Sequence, residues 1–175
     1  MKAVVVYESL YGNTAVIGEA IAASLREHGL EVDARLLSKV STDETAAFDL
    51  LVVGGPTHTH GMSKPNTRRT AADDKDNTFT ERTVHPGLSP WLDALPAGSE
   101  RLAAAFDTRI NKPAVLTGSA AKKIAKRLAA RGYRLVVGPE SFLVTLQNQL
   151  EDGETAHAAA WGAVVAERAA VSAAP

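Results

Sequence analysis

Short apolar runs alternate with amphipathic stretches along this chain, and that alternation predicts an α/β fold. Ala3 to Tyr7 is a continuous β-branched run, the composition of a strand covered on both faces of a parallel sheet. Asn13 to His28 carries Val16, Ile17, Ala20, Ile21 and Leu25 on one stripe, which predicts a helix, and Gly29 lies at its stop. Glu31 to Leu37 alternates Val32, Ala34 and Leu36, as a half-exposed second strand does. Asp49 to Val53 predicts a third, central strand that runs into Gly54-Gly55-Pro56. Leu88, Trp91, Leu92 and Leu95 mark a short helix that Pro96 ends. Arg101 to Asp107 predicts a fourth strand, and Ala114 to Leu116 a short extended piece. Ser119 to Arg131 predicts a helix with Ile124 and Leu128 inward. A fifth strand covers Tyr133 to Val137 and Ser141 to Thr145, interrupted at Gly138-Pro139. Glu154 to Ala170 is an alanine-rich helix with Trp161, Val164 and Val165 on one side, followed by a fraying tail.

Strand and helix thus alternate five times without a repeat period. Right-handed crossovers turn that order into a five-stranded parallel sheet with helices on both faces. No domain boundary shows across residues 1–175. One stretch breaks the pattern. Residues 57–86 have few apolar positions and mixed charges, including Arg68, Arg69, Asp73, Asp74, Lys75 and Asp76. They read as a polar loop insertion at the sheet edge, and loops of that length are functional or mobile.

Composition narrows the function. The chain has 175 residues and no cysteine, which excludes disulfides, cysteine-ligated zinc, iron–sulfur clusters and thiol catalysis. Its net charge of -1, from 19 basic and 20 acidic residues, argues against nucleic acid or an anionic membrane as the main partner. A hydrophobic content of 45% excludes a disordered chain. No apolar run approaches the roughly 20 residues that span a bilayer. Residues 1–10 carry no signal-peptide core, so a cytoplasmic protein is expected.

In sheets of this kind ligands bind at the carboxyl ends of the strands, where the strand order reverses. Glu8-Ser9-Leu10-Tyr11-Gly12-Asn13-Thr14 links the first strand to the first helix. Ser9 and Thr14 supply hydroxyls, Gly12 permits a tight path, and the first-turn N–H groups of the helix lack partners. Together they suit a phosphate monoester. The loop is neither a Walker loop nor G-x-G-x-x-G, and a plain strand–helix turn is the alternative.

Tyr-Glu-Ser-Leu-Tyr-Gly-Asn-Thr after a V-V-V strand resembles the phosphate loop of flavodoxins, Ser/Thr-x-Thr-Gly-x-Thr, with Tyr11 for the central threonine. A similar Ser-x-Tyr-Gly loop occurs in flavodoxin-like quinone reductases. The resemblance covers the whole chain. It implies FMN as cofactor, its phosphate wrapped by Ser9, Leu10, Tyr11, Gly12, Asn13 and Thr14. It also implies the strand order 2-1-3-4-5, with the ring in the crevice between strands one and three. The second implied stretch is Pro56-Thr57-His58-Thr59-His60-Gly61, the loop that covers the ring in this family. No Trp, Tyr or Phe occurs there, so His58 or His60 is the candidate for stacking, and plain solvated histidines are the alternative. Two histidines without a third ligand nearby make only a weak metal site, behind the flavin-lining reading. The third implied stretch is Phe106-Asp107-Thr108-Arg109, beside the pyrimidine edge. Asp107 or Thr108 could bond that edge. Arg109 near the ring would favour the reduced, anionic flavin; the alternative is pairing with Asp107 or pointing to solvent.

The implied function is electron transfer between a reductase and an acceptor, with the flavin carrying the chemistry and no catalytic side chain required. The alternatives are an NAD(P)H-dependent FMN quinone or small-molecule reductase, or a degenerate flavodoxin fold without FMN. Two features depart from the family: flavodoxins are generally very acidic, and this chain is near neutral with an insertion at 57–86. Trp91 and Trp161 read as core residues. Lys122, Lys123, Lys126 and Arg127 form a basic helix face, read as solvated, with docking of an acidic reductase as the alternative.

Overall fold

The computed structural model describes residues 1–58, 61–79 and 87–173. The elements run β1 (Lys2–Tyr7), α1 (Asn13–Glu27), β2 (Glu31–Leu36), β3 (Leu50–His58), β4 (Gly61–Met62), α2 (Pro65–Asp73) and α3 (Leu88–Ala94). They continue β5 (Leu102–Ile110), α4 (Ala114–Thr117), α5 (Ala120–Ala130), β6 (Arg134–Leu135), β7 (Glu140–Val144) and α6 (Glu154–Ala173). The parallel sheet has the order β2-β1-β3-β5-β6, with β7 also on β5 and the short β4 antiparallel to β3. β6 pairs with Leu102 and Ala103, and β7 with Phe106 to Ile110, so the two share one lane. The fifth lane is therefore one strand in two pieces, broken at Gly138-Pro139 as the sequence predicts, and the lane order is 2-1-3-4-5.

Strand alternation sorts the core into two layers. Val5, Tyr7, Val52, Ala104 and Phe106 pack under α1 and α6 with Ile17, Ile21, Leu25, Trp161 and Val165. Val4, Val6, Leu51, Val53, Ala103 and Ala105 pack under α3 and α5 with Leu88, Trp91, Leu92, Ile124 and Leu128. Both tryptophans are core residues, and Trp91 Nε1 donates to the Val40 carbonyl at 3.0 Å. The central strands are buried on both faces, which is why their sequence reads as unbroken valine and alanine.

Two strands run further than their apolar runs. β3 continues through Gly54-Gly55-Pro56 to His58, because Gly54, Gly55 and Pro56 pair with Phe106, Asp107 and Thr108. The Gly54 carbonyl accepts from Glu8 N–H, so Pro56, two residues on, directs its nitrogen to that same side. β1 has ended there, and the missing N–H of the proline costs no ladder bond. At Gly54 a Cβ would stand 2.1 Å from Phe106 Cζ, so only glycine admits that ring. Ala114 to Leu116, expected to be extended, lies in one helical turn, Ala114–Thr117: Pro113 pre-sets its start and its carbonyl accepts from Leu116 and Thr117. Within 57–86 the structure places the end of β3, then β4 and α2. α2 gave no helical stripe because its buried side chains are Arg68 and Ala71. Among the described residues, no helix is long and apolar enough to cross a membrane.

Candidate functional site

A cleft of about 80 Å³ opens at the carboxyl ends of β1, β3 and β5. Its walls are Leu10, Tyr11, Asn13 and Thr14, then Pro56, Thr57 and His58, then Thr108, Arg109 and Ile110, with Val144 and Asn148 beyond. β1 ends at Tyr7 and the chain turns into α1 through Gly12, whose φ of 92° is costly for any residue with a Cβ. No side chain caps α1 at that position. Ser9 Oγ accepts from Ala15 N–H at 3.3 Å, and the Gly12 carbonyl accepts from Val16 N–H. Among the described residues, the five backbone N–H groups from Leu10 to Thr14 have no hydrogen-bond partner. A run of free N–H groups at a helix N-terminus attracts an anion through aligned dipoles, without a lysine or arginine. The Thr14 and Thr108 hydroxyls meet at 2.7 Å, which ties this loop to β5.

The segment after α2 braces the loop from behind. Asn77 Nδ2 donates to the Leu10 carbonyl at 2.7 Å and to the Ala71 carbonyl at 3.0 Å. Phe79 lies over Gly12, and a Cβ on that glycine would stand 3.3 Å from its ring. Burial, and then the nearby Asp74 carboxylate, push the Tyr11 hydroxyl pKa up. Asn13 Nδ2 donates to the Asn148 carbonyl at 2.7 Å, closing the far end of the cleft. The sequence pointed to none of Asp74, Asn77, Phe79 or Asn148. The one available signal was Phe79, a lone aromatic in a polar stretch.

The ends of β3 and β5 divide their residues between the cleft and the core. Phe106 does not face the cleft: its ring lies in the core, edge-on to Phe142 at 6.1 Å. Asp107 points the other way, where its Oδ2 accepts from Thr57 Oγ1, Ser119 Oγ and Ala121 N–H at 2.8 to 2.9 Å. Through Oδ2 it holds the start of α5; among the described residues its Oδ1 is buried without a partner, and Asp107 does not line the cleft. The reason is register: β5 runs on to Ile110, and the cleft wall begins at Thr108. Arg109 pairs neither with Asp107 nor with solvent alone; its Nη1 donates to the Ile110 and Lys112 carbonyls, and its Nε is buried without a partner. Among the described residues His58 Nε2 is likewise buried without a partner, and burial lowers the ring pKa. Gly61 lies in β4. Thr59 and His60 lie outside the described residues.

Below the loop, Glu8 is fully buried and accepts from Ser63 Oγ at 2.6 Å, with Arg68 Nη1 4.0 Å away. Desolvation raises its pKa, against the lowering effects of Ser63, Arg68 and the Leu88 backbone.

A doubly wound sheet with a free N–H loop at its switch point defines a nucleotide-cofactor protein of the α/β class. The family follows from comparison. The flavodoxin family model matches residues 5–161, and the chain belongs to that family. It is an FMN-binding protein of electron transfer. No curated protein matches the chain. A flavodoxin from the domain Archaea is similar in structure, with 20% identity, 97% of this chain and 99% of that one covered, and a TM-score of 0.68. Oxidised flavodoxin 2 from Bacillus cereus has 20% identity, coverage of 95% and 99%, and a TM-score of 0.68. A flavodoxin, WrbA-like protein from Agrobacterium tumefaciens has 20% identity, coverage of 97% and 98%, and a TM-score of 0.61. The cleft fits FMN: the free N–H groups suit a phosphate monoester, and buried polar atoms of His58 and Arg109 lack protein partners among the described residues.

Proposed function

We propose that this chain is a cytoplasmic electron carrier that holds the FMN phosphate on Ser9 to Thr14 and the ring between Pro56–His58 and Thr108–Arg109. The observation that carries the reading is the row of five unpartnered N–H groups from Leu10 to Thr14 in the cleft wall. Bound FMN supplies the redox chemistry, taking up and passing on electrons. The backbone of Leu10 to Thr14 orients the phosphate end. Thr14 and Thr108 keep the two walls at a fixed distance through their shared hydrogen bond. His58, with its ring pKa lowered by burial, presents a neutral imidazole in place of the family's aromatic. Gly61, at the start of β4, continues that side in this reading. Arg109 is pinned by the Ile110 and Lys112 carbonyls, and its charge favours added negative charge in the cleft. The partners are a reductase and an acceptor protein.

The test is the visible spectrum of the protein titrated with FMN, followed by dithionite. Stoichiometric binding and reduction in two separated one-electron steps support a carrier. Arg109→Gln is expected to lower the midpoint of the second step while FMN still binds. An unchanged FMN spectrum and fluorescence would overturn the placement of the phosphate on Ser9 to Thr14, and a single two-electron step would favour a reductase instead.

A further inference from the structure

A second cleft, of about 370 Å³, opens where β4 runs into α2. Ser63, Lys64 and Arg68 form one wall, Lys123 and Arg127 of α5 the other, and every charged side chain in the lining is a cation. Two of them have acidic neighbours: Arg68 lies 4.0 Å from Glu8, and Arg127 lies 3.0 Å from Asp93 and donates to the Ser89 carbonyl. Lys64 and Lys123 are exposed and have no ion pair among the described residues. α5 continues the basic face with exposed Lys122 and Lys126, and its sequence, AAKKIAKRLAA, holds no acid. α4, which leads into α5, leaves Val115 86% and Leu116 63% exposed. The chain as a whole has a net charge of -1, so these cations are segregated rather than mixed with acids.

We propose that Lys64, Lys122, Lys123 and Lys126, with Val115 and Leu116, form the docking surface for an acidic redox partner protein. The proposal rests on the electron-carrier reading above. The cations span more than one turn of α5 and reach α2, a spread that suits a patch of carboxylates better than one small anion. The exposed Val115 and Leu116 add the apolar area that protein interfaces use and that a phosphate backbone does not. The surface also lies beside the cofactor cleft. The Lys123 side chain lies against Gly61 in β4, and β4 pairs with Thr57 and His58, which line that cleft. A partner seated here meets the chain one strand from the site.

The experiment uses the FMN-loaded protein and an acidic plant-type ferredoxin as the probe, with binding measured at about 20 and about 200 mM NaCl. A basic c-type cytochrome and a DNA duplex of about 20 base pairs serve as controls. The expected result is a ferredoxin Kd that rises about tenfold with salt and about tenfold again in the double variant K64E/K122E, with neither control binding comparably. Both substitutions fall at exposed positions near helix N-termini, where an acid is favoured, so Tm and FMN affinity are expected to stay unchanged. A ferredoxin Kd indifferent to the double variant, or a duplex that binds as tightly, would overturn the proposal. Ferredoxin docking on a protein that does not retain FMN would support the surface and overturn the electron-carrier reading.

Discussion

Asn77 belongs to no motif, yet the structure makes it the brace of the phosphate loop, and replacing it tests how the site is held. Its side chain donates to the Leu10 and Ala71 carbonyls at 2.7 and 3.0 Å, and its Oδ1 accepts from Phe79 N–H at 3.1 Å. Asn77→Ala removes all three bonds at a buried position. At about 1 kcal/mol each, the loss is about 3 kcal/mol, and groups left unpaired in the interior push it higher. For a chain of this size that lowers Tm by about 10 °C. One of the three bonds acts on Leu10, inside the row of free N–H groups. Without it the loop must be ordered again when FMN binds, which costs about 1.4 kcal/mol and weakens affinity about tenfold. The assay pairs thermal melting of the FMN-free protein with an FMN fluorescence titration at a temperature where the variant is folded. A variant that melts early yet binds FMN within about twofold of the parent would refute the reasoning, because the loop would then hold its shape unaided.

Three further outcomes follow from the same contacts. Gly12→Ala places a Cβ at φ 92° and 3.3 Å from Phe79, a strain of about 1–3 kcal/mol that should weaken FMN binding more than it lowers Tm; equal affinity in the titration would contradict it. Gly54→Ala drives a Cβ to 2.1 Å from Phe106 Cζ and should cost about 3 kcal/mol in urea unfolding, partly restored by Phe106→Leu; no recovery in the double variant would point to another cause. Glu8 has a folded pKa raised above 4.5, so the native state holds its proton longer than the unfolded chain does, and stability is lost as pH rises from about 4.5 through the folded value. Glu8→Gln keeps an acceptor for Ser63, and its stability relative to the parent should grow across that window; a constant offset in urea melts from about pH 4 to about pH 8 would exclude the effect.

The sequence alone determined the elements that bury apolar side chains. The valine runs at 3–7 and 49–53 announced central strands, and Ile17, Ile21 and Leu25 announced α1, because burial on both faces or on one stripe imposes a period that composition displays. Ser9 to Thr14 was legible for a related reason. A loop that offers bare N–H groups needs small and hydroxyl residues next to a strand end, and these are local. Tertiary structure decided the rest. Phe106 and Asp107 looked like cleft residues because the apolar run stops there, but pairing with β3 and β7 carries β5 three residues further and turns their side chains into the two layers beside the sheet. α2 stayed hidden because it buries an arginine and an alanine rather than an apolar stripe. Asn77 meets Leu10 across 67 positions, and Glu8 meets Ser63 across 55. Such contacts leave no local period, since each is fixed by where the fold brings two distant polar groups together in a place that water does not reach.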